Sequence, residues 1–136
     1  MRAAWYTELG DTFVLNVGEQ PLPDPQPGEI RVRLATSGVN PSDWKARKRG
    51  RDGTIPFPLI VPHSDGAGII DAVGHNVDAS RVGQRVWVMN GQWKRPLGTA
   101  AEAICLPEKY VVPLPDGVDM AEAACFGIPF LTAHRA

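Results

Sequence analysis

Hydrophobic and polar residues alternate in short runs along most of the chain, which is the pattern of β-strands with one face in a core. Residues 30–36 are the clearest example, with Ile30, Val32 and Leu34 at alternate positions. Further predicted strands cover residues 3–6 and 12–17 (a hairpin), 59–61, 66–74, 85–89, 99–106 and 110–114. Turn residues separate these runs about every eight to twelve positions. The pattern predicts a mainly β fold, a small and mostly antiparallel barrel or sandwich.

Three segments favour short helices instead. Residues 42–49 fit about two helical turns, and Pro41 suits the first helical position, where no amide hydrogen is needed. Asp119 is a predicted N-cap for a helix through residues 121–124. A third helix is predicted from Ile128 to Ala136.

The size and charge of the chain limit its possible partners. It has 136 residues and a formal net charge of −1, with charges of both signs spread along it. This length suits one domain, and the charge provides no field that would attract nucleic acid or an anionic membrane. No apolar run approaches the roughly 18 residues of a membrane span. The sequence therefore predicts a cytoplasmic protein with neither nucleic-acid nor membrane partners.

Cys105 and Cys125 are the two cysteines, and their separation without a neighbouring histidine fits no zinc-binding spacing. Free cysteine is among the most buried residue types. Both are predicted to be buried thiols.

Two polar corners carry the candidate chemistry. Residues 38–44 (G-V-N-P-S-D-W) lead from the alternating strand through an Asn-Pro turn into the first helix. Residues 62–68 (P-H-S-D-G-A-G) follow about twenty positions later and open the longest predicted strand. Side chains at strand-to-helix corners commonly face a cleft.

These corners belong to a set of four motifs, completed by V-G-Q-R-V at residues 82–86 and G-I-P-F-L-T-A at residues 127–133. In this order they resemble the zinc-independent quinone oxidoreductase (zeta-crystallin-like) branch of the medium-chain dehydrogenase/reductase superfamily. The resemblance implies a GroES-like (chaperonin-10-like), partly open β-barrel over residues 1–126. Residues 127–136 would then begin the helix leading to a Rossmann domain that is missing from this chain.

The resemblance also bears on whether this domain binds a catalytic zinc ion. In zinc-dependent members a cysteine stands in the place of Asn40, and Gly-His-Glu in the place of His63, Ser64 and Asp65. Neither asparagine nor serine supplies the thiolate or imidazole that a tetrahedral zinc site prefers. No metal site is predicted.

The implied function is that of the substrate-side domain of an NADPH-dependent quinone oxidoreductase, inactive alone. Hydride would pass from NADPH to a quinone or an activated enone, with the protein supplying orientation and hydrogen bonds. Most of the cofactor site would lie outside this chain, and the full-length form would be a homodimer. The alternative is a free-standing GroES-like binding or assembly module without catalysis.

Five residues are the candidate site. Asn40 and Asp43 are predicted as catalytic residues, Asn40 and Thr132 as cofactor contacts, and Trp44 and Trp93 as aromatic walls for a flat acceptor. Four of these residues also have a structural alternative. Asn40 could simply form the turn before proline, Asp43 could brace the corner helix, and the tryptophans could serve packing.

Two further charged groups have open roles. Asp65 is predicted to pair with an arginine such as Arg85. The basic residues 47–51, from Arg47 to Arg51, fit a solvated helix end, where positive side chains interact favourably with the negative pole of the helix dipole. They could instead help to bind a cofactor phosphate.

Overall fold

The computed structural model describes residues 1–50 and 52–136. Within them the strands are β1 (Arg2–Trp5), β2 (Asn16–Glu19), β3 (Glu29–Gly38), β4 (Asp65–Val73), β5 (Arg85–Val88), β6 (Ala103–Pro107) and β7 (Val111–Pro113). The α-helices are α1 (Pro41–Arg49), α2 (Met120–Ala123) and α3 (Ile128–Arg135). Single 3₁₀ turns cover Thr12–Val14, Ala79–Arg81 and Glu108–Tyr110. The domain is mainly β with short helices, which confirms the predicted class.

Five of these strands form one antiparallel sheet in the order β6-β3-β4-β5-β7, while β1 and β2 pair separately. The long strands β3 and β4 are its centre, and their pairing ends with Gly38 opposite Asp65. Two register shifts along this pair, after Arg31 and after Leu34, mark β-bulge irregularities. Bulges bend and twist a strand, so the sheet curls into a half-barrel, which agrees with the partly open barrel that the resemblance implies.

The main hydrophobic core lies on one face of this sheet. Its buried members come from alternate positions of the paired strands: Ile30, Val32, Ile70, Val86, Val88, Ile104, Leu106 and Val111. Burying a side chain of this size contributes about 1.5–3 kcal/mol. A second cluster packs Tyr6, Val14 and Ile60 together beneath the loop that follows α1. Tyr6 and Ile60 of this smaller cluster also line a surface pocket.

Several predicted elements are shorter than expected. The predicted strand over residues 12–17 begins only at Asn16, because Asp11 accepts a bond from the Thr12 nitrogen and starts a 3₁₀ turn. Residues 59–61 make isolated bridges, Tyr6 with Ile60 and Val61 with Leu97, rather than a strand. The hairpin partners β1 and β2 are nevertheless paired as predicted.

The two cysteines differ in exposure. Cys105 lies buried on β6, as predicted, and burial raises the pKa of its thiol to about 12. Cys125 is exposed, so the prediction of a second buried thiol is wrong. The reason is that α2 ends at Ala123, and Cys125 lies in the turn after it.

No α-helix within residues 1–50 and 52–136 combines the length and the hydropathy that a membrane crossing requires.

Candidate functional site

The two polar corners of the sequence meet at one end of the sheet. Since Gly38 at the end of β3 pairs with Asp65 at the start of β4, the chain leaves β3 beside the β4 corner. Asn40 follows with an extended backbone (φ −117°, ψ 157°) and caps α1, whose first residue is Pro41. Sheet register therefore brings Asn40 and Asp65 together, although they are 25 residues apart.

Asp65 is the centre of this corner. Its Oδ2 accepts a hydrogen bond from Asn40 Nδ2 at 2.8 Å and another from the backbone nitrogen of Ile128 at 2.9 Å. The residue is fully buried, and its Oδ1 is the one buried side-chain polar atom without a partner in the part of the chain that the structure describes. One carboxyl group thus connects β4 with the start of both α1 and α3.

Asp43 braces the same corner from the first turn of α1. Its Oδ2 accepts a hydrogen bond from the backbone nitrogen of Asn40 at 2.7 Å. This confirms the bracing role considered for Asp43; its predicted catalytic role stays a prediction. The expected pairing of Asp65 with Arg85 is wrong, because the Arg85 guanidinium donates to the carbonyl oxygens of Pro115 and Val118.

Both corner carboxyls have raised pKa values. Burial raises the pKa of Asp65, and the bonds from Ile128 and Asn40 oppose that shift in part, while nearby Asp43 adds to it. Burial likewise raises the pKa of Asp43, against the effect of the bond from the Asn40 nitrogen. Two carboxyls at one corner therefore hold protons more strongly than exposed aspartates do.

A pocket of about 290 Å³ opens beside this corner. Asp43 and Ser64 contribute its polar lining, Lys45 its cation and Trp93 its aromatic surface. Trp44, the other predicted wall, lies outside this lining; 45% of the residue is exposed, and the Lys45 ammonium lies 5.7 Å from its ring centre. Of the two predicted walls, Trp93 therefore lines the pocket beside Asp43 and Trp44 does not.

Thr132 lines a second, more open surface pocket of about 650 Å³ together with Arg135. Asn90 and Ile128 line this pocket and also the one beside Asp43, so the two adjoin. Asn40 lines neither pocket: only 4% of it is exposed, and its amide nitrogen is held by Asp65. The predicted roles of Asn40 and Thr132 stay predictions.

The basic segment after the corner is largely engaged within the domain. Arg47 is buried, and its Nη1 donates to the carbonyl oxygen of Gly10 at 2.8 Å. Lys48 forms an ion pair with Asp11 at 3.0 Å. Arg47 is therefore not part of a solvated helix end, contrary to that alternative, and its guanidinium fixes the Gly10 loop. The predicted contribution of Arg51 lies outside the described residues.

His63 is a feature that sequence reasoning did not single out. It has a φ of +75°, in the left-handed region that favours glycine, and its Nδ1 lies 3.0 Å from Ser37 Oγ. Ser37 Oγ lies 2.9 Å from Thr99 Oγ1, which donates to the Asp65 carbonyl oxygen. Because each hydroxyl has one hydrogen, Ser37 must donate to Thr99 and accept from His63. The Nδ1 atom of His63 therefore carries a proton.

The signal for His63 was present in the sequence. In zinc-dependent members the resemblance places a glycine at position 63, and glycine adopts a left-handed backbone without strain. A histidine at the same position is therefore expected to be strained. His63 and Ser64 line different pockets. Among residues 1–50 and 52–136, no three His, Cys, Asp or Glu side chains cluster as metal ligands would. Metal independence stays a prediction.

Comparison with known proteins identifies a family and several relatives of this chain. Residues 26–116 match the family described as alcohol dehydrogenase GroES-like domain. The chain is 32% identical over 136 residues to the mouse synaptic vesicle membrane protein VAT-1 homolog-like, covering 98% of this chain and 31% of that protein. It is 33% identical over 137 residues to human quinone oxidoreductase, covering 100% of this chain and 40% of that protein.

A solved structure extends the comparison to three dimensions. A mycobacterial protein, whose native structure is complexed with NADPH, superposes with a TM-score of 0.85 at 31% identity, over 98% of this chain and 40% of that one. The chain thus spans about a third to two fifths of the length of the relatives it matches. On the family match, the half-barrel fold and these relatives, the chain belongs to the alcohol dehydrogenase GroES-like domain family of the medium-chain dehydrogenase/reductase superfamily.

Proposed function

We propose that this chain forms the substrate-side domain of a zinc-independent, NADPH-dependent oxidoreductase that reduces a quinone or an activated enone. The observation that carries the proposal is the pocket beside the α1–β4 corner, where Trp93 and Ser64 lie next to the buried, hydrogen-bonded Asp43. The similarity to human quinone oxidoreductase supports it. The acceptor would be a flat carbonyl compound that binds between the corner and Trp93.

The residues of the adjoining surface fit a nicotinamide cofactor. Thr132 offers a hydroxyl, Asn90 an amide and Arg135 a cation, which are groups that bind ribose hydroxyls and phosphates. When bound, NADPH would supply the hydride, and reduction of a quinone would also consume one proton to give the hydroquinone. In the proposed arrangement these three residues hold the cofactor side, and Asp43 and Ser64 line the acceptor side.

Within the acceptor pocket, each side chain has a distinct task. Trp93 provides a flat apolar face for the ring of the acceptor, which limits its orientations before reaction. The Ser64 hydroxyl can donate to a carbonyl oxygen, on which negative charge develops during hydride transfer. Lys45 places a cation on the same pocket lining, which favours that charge. Asp65, through Asn40 and Ile128, keeps the walls at a fixed separation.

The experiment is a titration of the purified chain with 1,4-benzoquinone, following quenching of tryptophan fluorescence. It is made in a Cys125→Ser background, because benzoquinone also reacts with exposed thiols and Cys125 is exposed. Trp93→Phe should weaken saturable binding about threefold or more through the loss of stacking area. Trp44→Phe is the matched control, since Trp44 has nearly the same exposure, 45% against 47%, but lies outside the pocket lining.

Four outcomes decide between the alternatives. Saturable binding that depends on Trp93, without NADPH oxidation by the chain alone, supports the substrate-side proposal. Equal weakening by Trp44→Phe would support the original prediction that both tryptophans are walls. Quenching that never saturates and ignores both variants would contradict the proposal and favour the binding-module alternative. Turnover of NADPH by this chain alone would contradict the proposed division of roles.

A further inference from the structure

The pocket beside Asp43 adjoins a further pocket of about 210 Å³, which shares part of its lining. We call the first the polar lobe and the second, which Tyr6, Pro56, Phe57 and Ile60 line, the apolar lobe. Three residues line both lobes: Ala46 on α1, Gly50 directly after it, and Gln92 in the loop that follows β5. The two lobes are therefore neighbouring parts of one cleft.

The floor of the apolar lobe is closely packed and hydrogen-bonded. Tyr6 and Ile60 are 2% and 1% exposed, and their backbones exchange two hydrogen bonds, each of 2.9 Å. Phe57 packs against the same pair. A preformed apolar wall of this kind binds apolar groups without first ordering its own side chains.

The junction between the lobes depends on two small residues. Gly50 has a φ of +66°, and a side chain there would overlap the backbone of Thr54, so glycine is required. Ala46 is half-buried in α1 and has only a methyl group to place between the lobes. A larger side chain at position 46 would fill the junction while leaving each lobe in place.

The charges at the rim do not oppose an apolar ligand segment. Lys94 lines the apolar lobe, but its ammonium lies 5.8 Å from the ring centre of Trp93, so its charge is held against an aromatic face. Its methylene stem can then cover apolar surface at the opening. The polar lobe, in contrast, contains the Asp43 carboxyl and the Ser64 hydroxyl.

From this division we infer that the preferred acceptor is amphipathic: a quinone or enone head that binds in the polar lobe and a flexible alkyl or prenyl-like tail that binds in the apolar lobe. This inference rests on the proposed function, because it places the reacting carbonyl head beside Asp43. It adds a substrate class and a residue, Ala46, that sets specificity by leaving the passage open.

The test compares two quinones with the same head, 2,3-dimethoxy-5-methyl-1,4-benzoquinone with and without a 6-decyl chain, binding to the Cys125→Ser chain. Each buried methylene tightens binding about fourfold. Burial of only part of the decyl chain should therefore give about tenfold tighter binding or more. Because Ala46 lines both lobes, the quantity compared is the ratio of the two affinities within each variant. Ala46→Leu should remove most of the decyl advantage, so that it binds the two quinones with affinities within about threefold of each other. The matched control is Ala35→Leu, because Ala35 is an exposed alanine on β3 that lies outside the cleft.

A second measurement does not depend on any variant. Intermolecular nuclear Overhauser effects from the decyl methylenes to the rings of Tyr6 and Phe57 are expected in the complex. Equal affinities for the two quinones, or a decyl advantage that survives Ala46→Leu without those contacts, would overturn the inference while leaving the proposed function intact. Failure of the tail-free quinone to bind would instead contradict the proposed function itself.

Discussion

The backbone nitrogen of Ile128 lies 2.9 Å from Asp65 Oδ2, so the first residue of α3 is bonded to the first residue of β4 across 63 positions of sequence. The same oxygen accepts from the side chain of Asn40, which is the N-cap residue of α1. The angle at which both helices leave the sheet therefore depends on one buried carboxyl group. Since α1 and Ile128 line the acceptor pocket, Asp65 shapes that pocket without lining it.

Replacement of Asp65 by alanine should destabilise the domain strongly. The change leaves the Asn40 amide and the Ile128 nitrogen without their acceptor, and a buried unpaired donor costs about 1–3 kcal/mol. We expect the free energy of unfolding, measured in urea, to fall by at least ~2 kcal/mol. Asp116→Ala, at an exposed turn position, should change it by less than about 0.5 kcal/mol. Equal urea midpoints for the two variants would contradict the proposed role of Asp65.

Asp65 should also make stability depend on pH, in a direction opposite to that of most aspartates. Burial raises its pKa above the ordinary value of 3.8, so between the two values the folded state holds more protons than the unfolded state. Stability must then fall as pH rises through this window, and the destabilisation is complete above the folded pKa and absent below the unfolded one. Paired aspartates with lowered pKa values, such as Asp11, act in the opposite sense.

The measurement is therefore a difference between wild type and Asp65→Asn at several pH values from about 3.5 to 7. Subtraction removes the contribution of Asp11, which both proteins share. The free energy of unfolding of the wild type, taken relative to that of Asp65→Asn, should be highest at the acid end. This difference should decline as the pH increases. A difference that grows with pH would show that Asp65 is stabilised as a carboxylate and would contradict the raised pKa.

Gly127 should be intolerant of any side chain because of Asp65. A Cβ atom at position 127 would overlap the Asp65 carboxyl oxygens. We expect Gly127→Ala to lower the free energy of unfolding by about 1–3 kcal/mol, the usual cost of overpacking. The control is the same change in an Asp65→Ala background, where the overlap is absent. A double-mutant cycle should then give a clear coupling energy, whereas additive effects would show that Gly127 is needed for another reason.

The sequence predicts the sheet and the corners better than it predicts their connections. Alternation in residues 30–36 and the turn chemistry around Asn40 specify β3, α1 and the corner between them, since both signals are local. The bond from Asp65 to Asn40 depends on the β3–β4 register, and the bond to Ile128 depends on the path of the chain after β7. Neither is encoded in a short window. An arginine partner for Asp65 was therefore a reasonable expectation and a wrong one.

Exposure was also difficult to predict from the sequence. Trp44 and Trp93 are similar aromatic residues in similar polar surroundings, but only Trp93 lines the pocket beside Asp43. Arg47 lies in a run of cations that is typical of a solvated helix end, but its guanidinium reaches back to Gly10 and is buried. Both outcomes depend on which face of a short helix or loop meets the rest of the domain. When an element of 8 to 9 residues has no clear apolar stripe, its sequence does not indicate which face will be buried.

His63 should prove to be a strained position. A residue other than glycine with a φ of +75° costs about 1–3 kcal/mol, and the bond to Ser37 offsets part of this. His63→Gly should therefore be more stable than His63→Ala by about 1 kcal/mol, since both lose the bond but only glycine relieves the strain. Unfolding in urea measures this difference. Equal stability of the two variants would show that the backbone at position 63 is unstrained.

The proton on His63 Nδ1 can be checked separately by nitrogen-15 NMR of the imidazole ring. Burial lowers the pKa of His63, so the neutral ring with hydrogen on Nδ1 should dominate near neutral pH. Ser37→Ala removes the acceptor and should shift the ring toward the other tautomer. A ring already protonated on Nε2 in the wild type would contradict the order of donors from His63 through Ser37 to Thr99.

The two thiols should react at very different rates with a thiol reagent such as dithionitrobenzoate. Thiolate is the reactive form, and it is available only where the thiol is accessible and its pKa is not far above the solution pH. Cys125 is exposed, whereas Cys105 is buried on β6 with a pKa raised to about 12. In the folded chain, one thiol should therefore react promptly, and the second should appear only on unfolding in urea. Cys125→Ser should abolish the prompt reaction and Cys105→Ser should leave it unchanged. If Cys105 reacted promptly in the native chain, the edge strand β6 would have to open far more readily than its pairing with β3 implies.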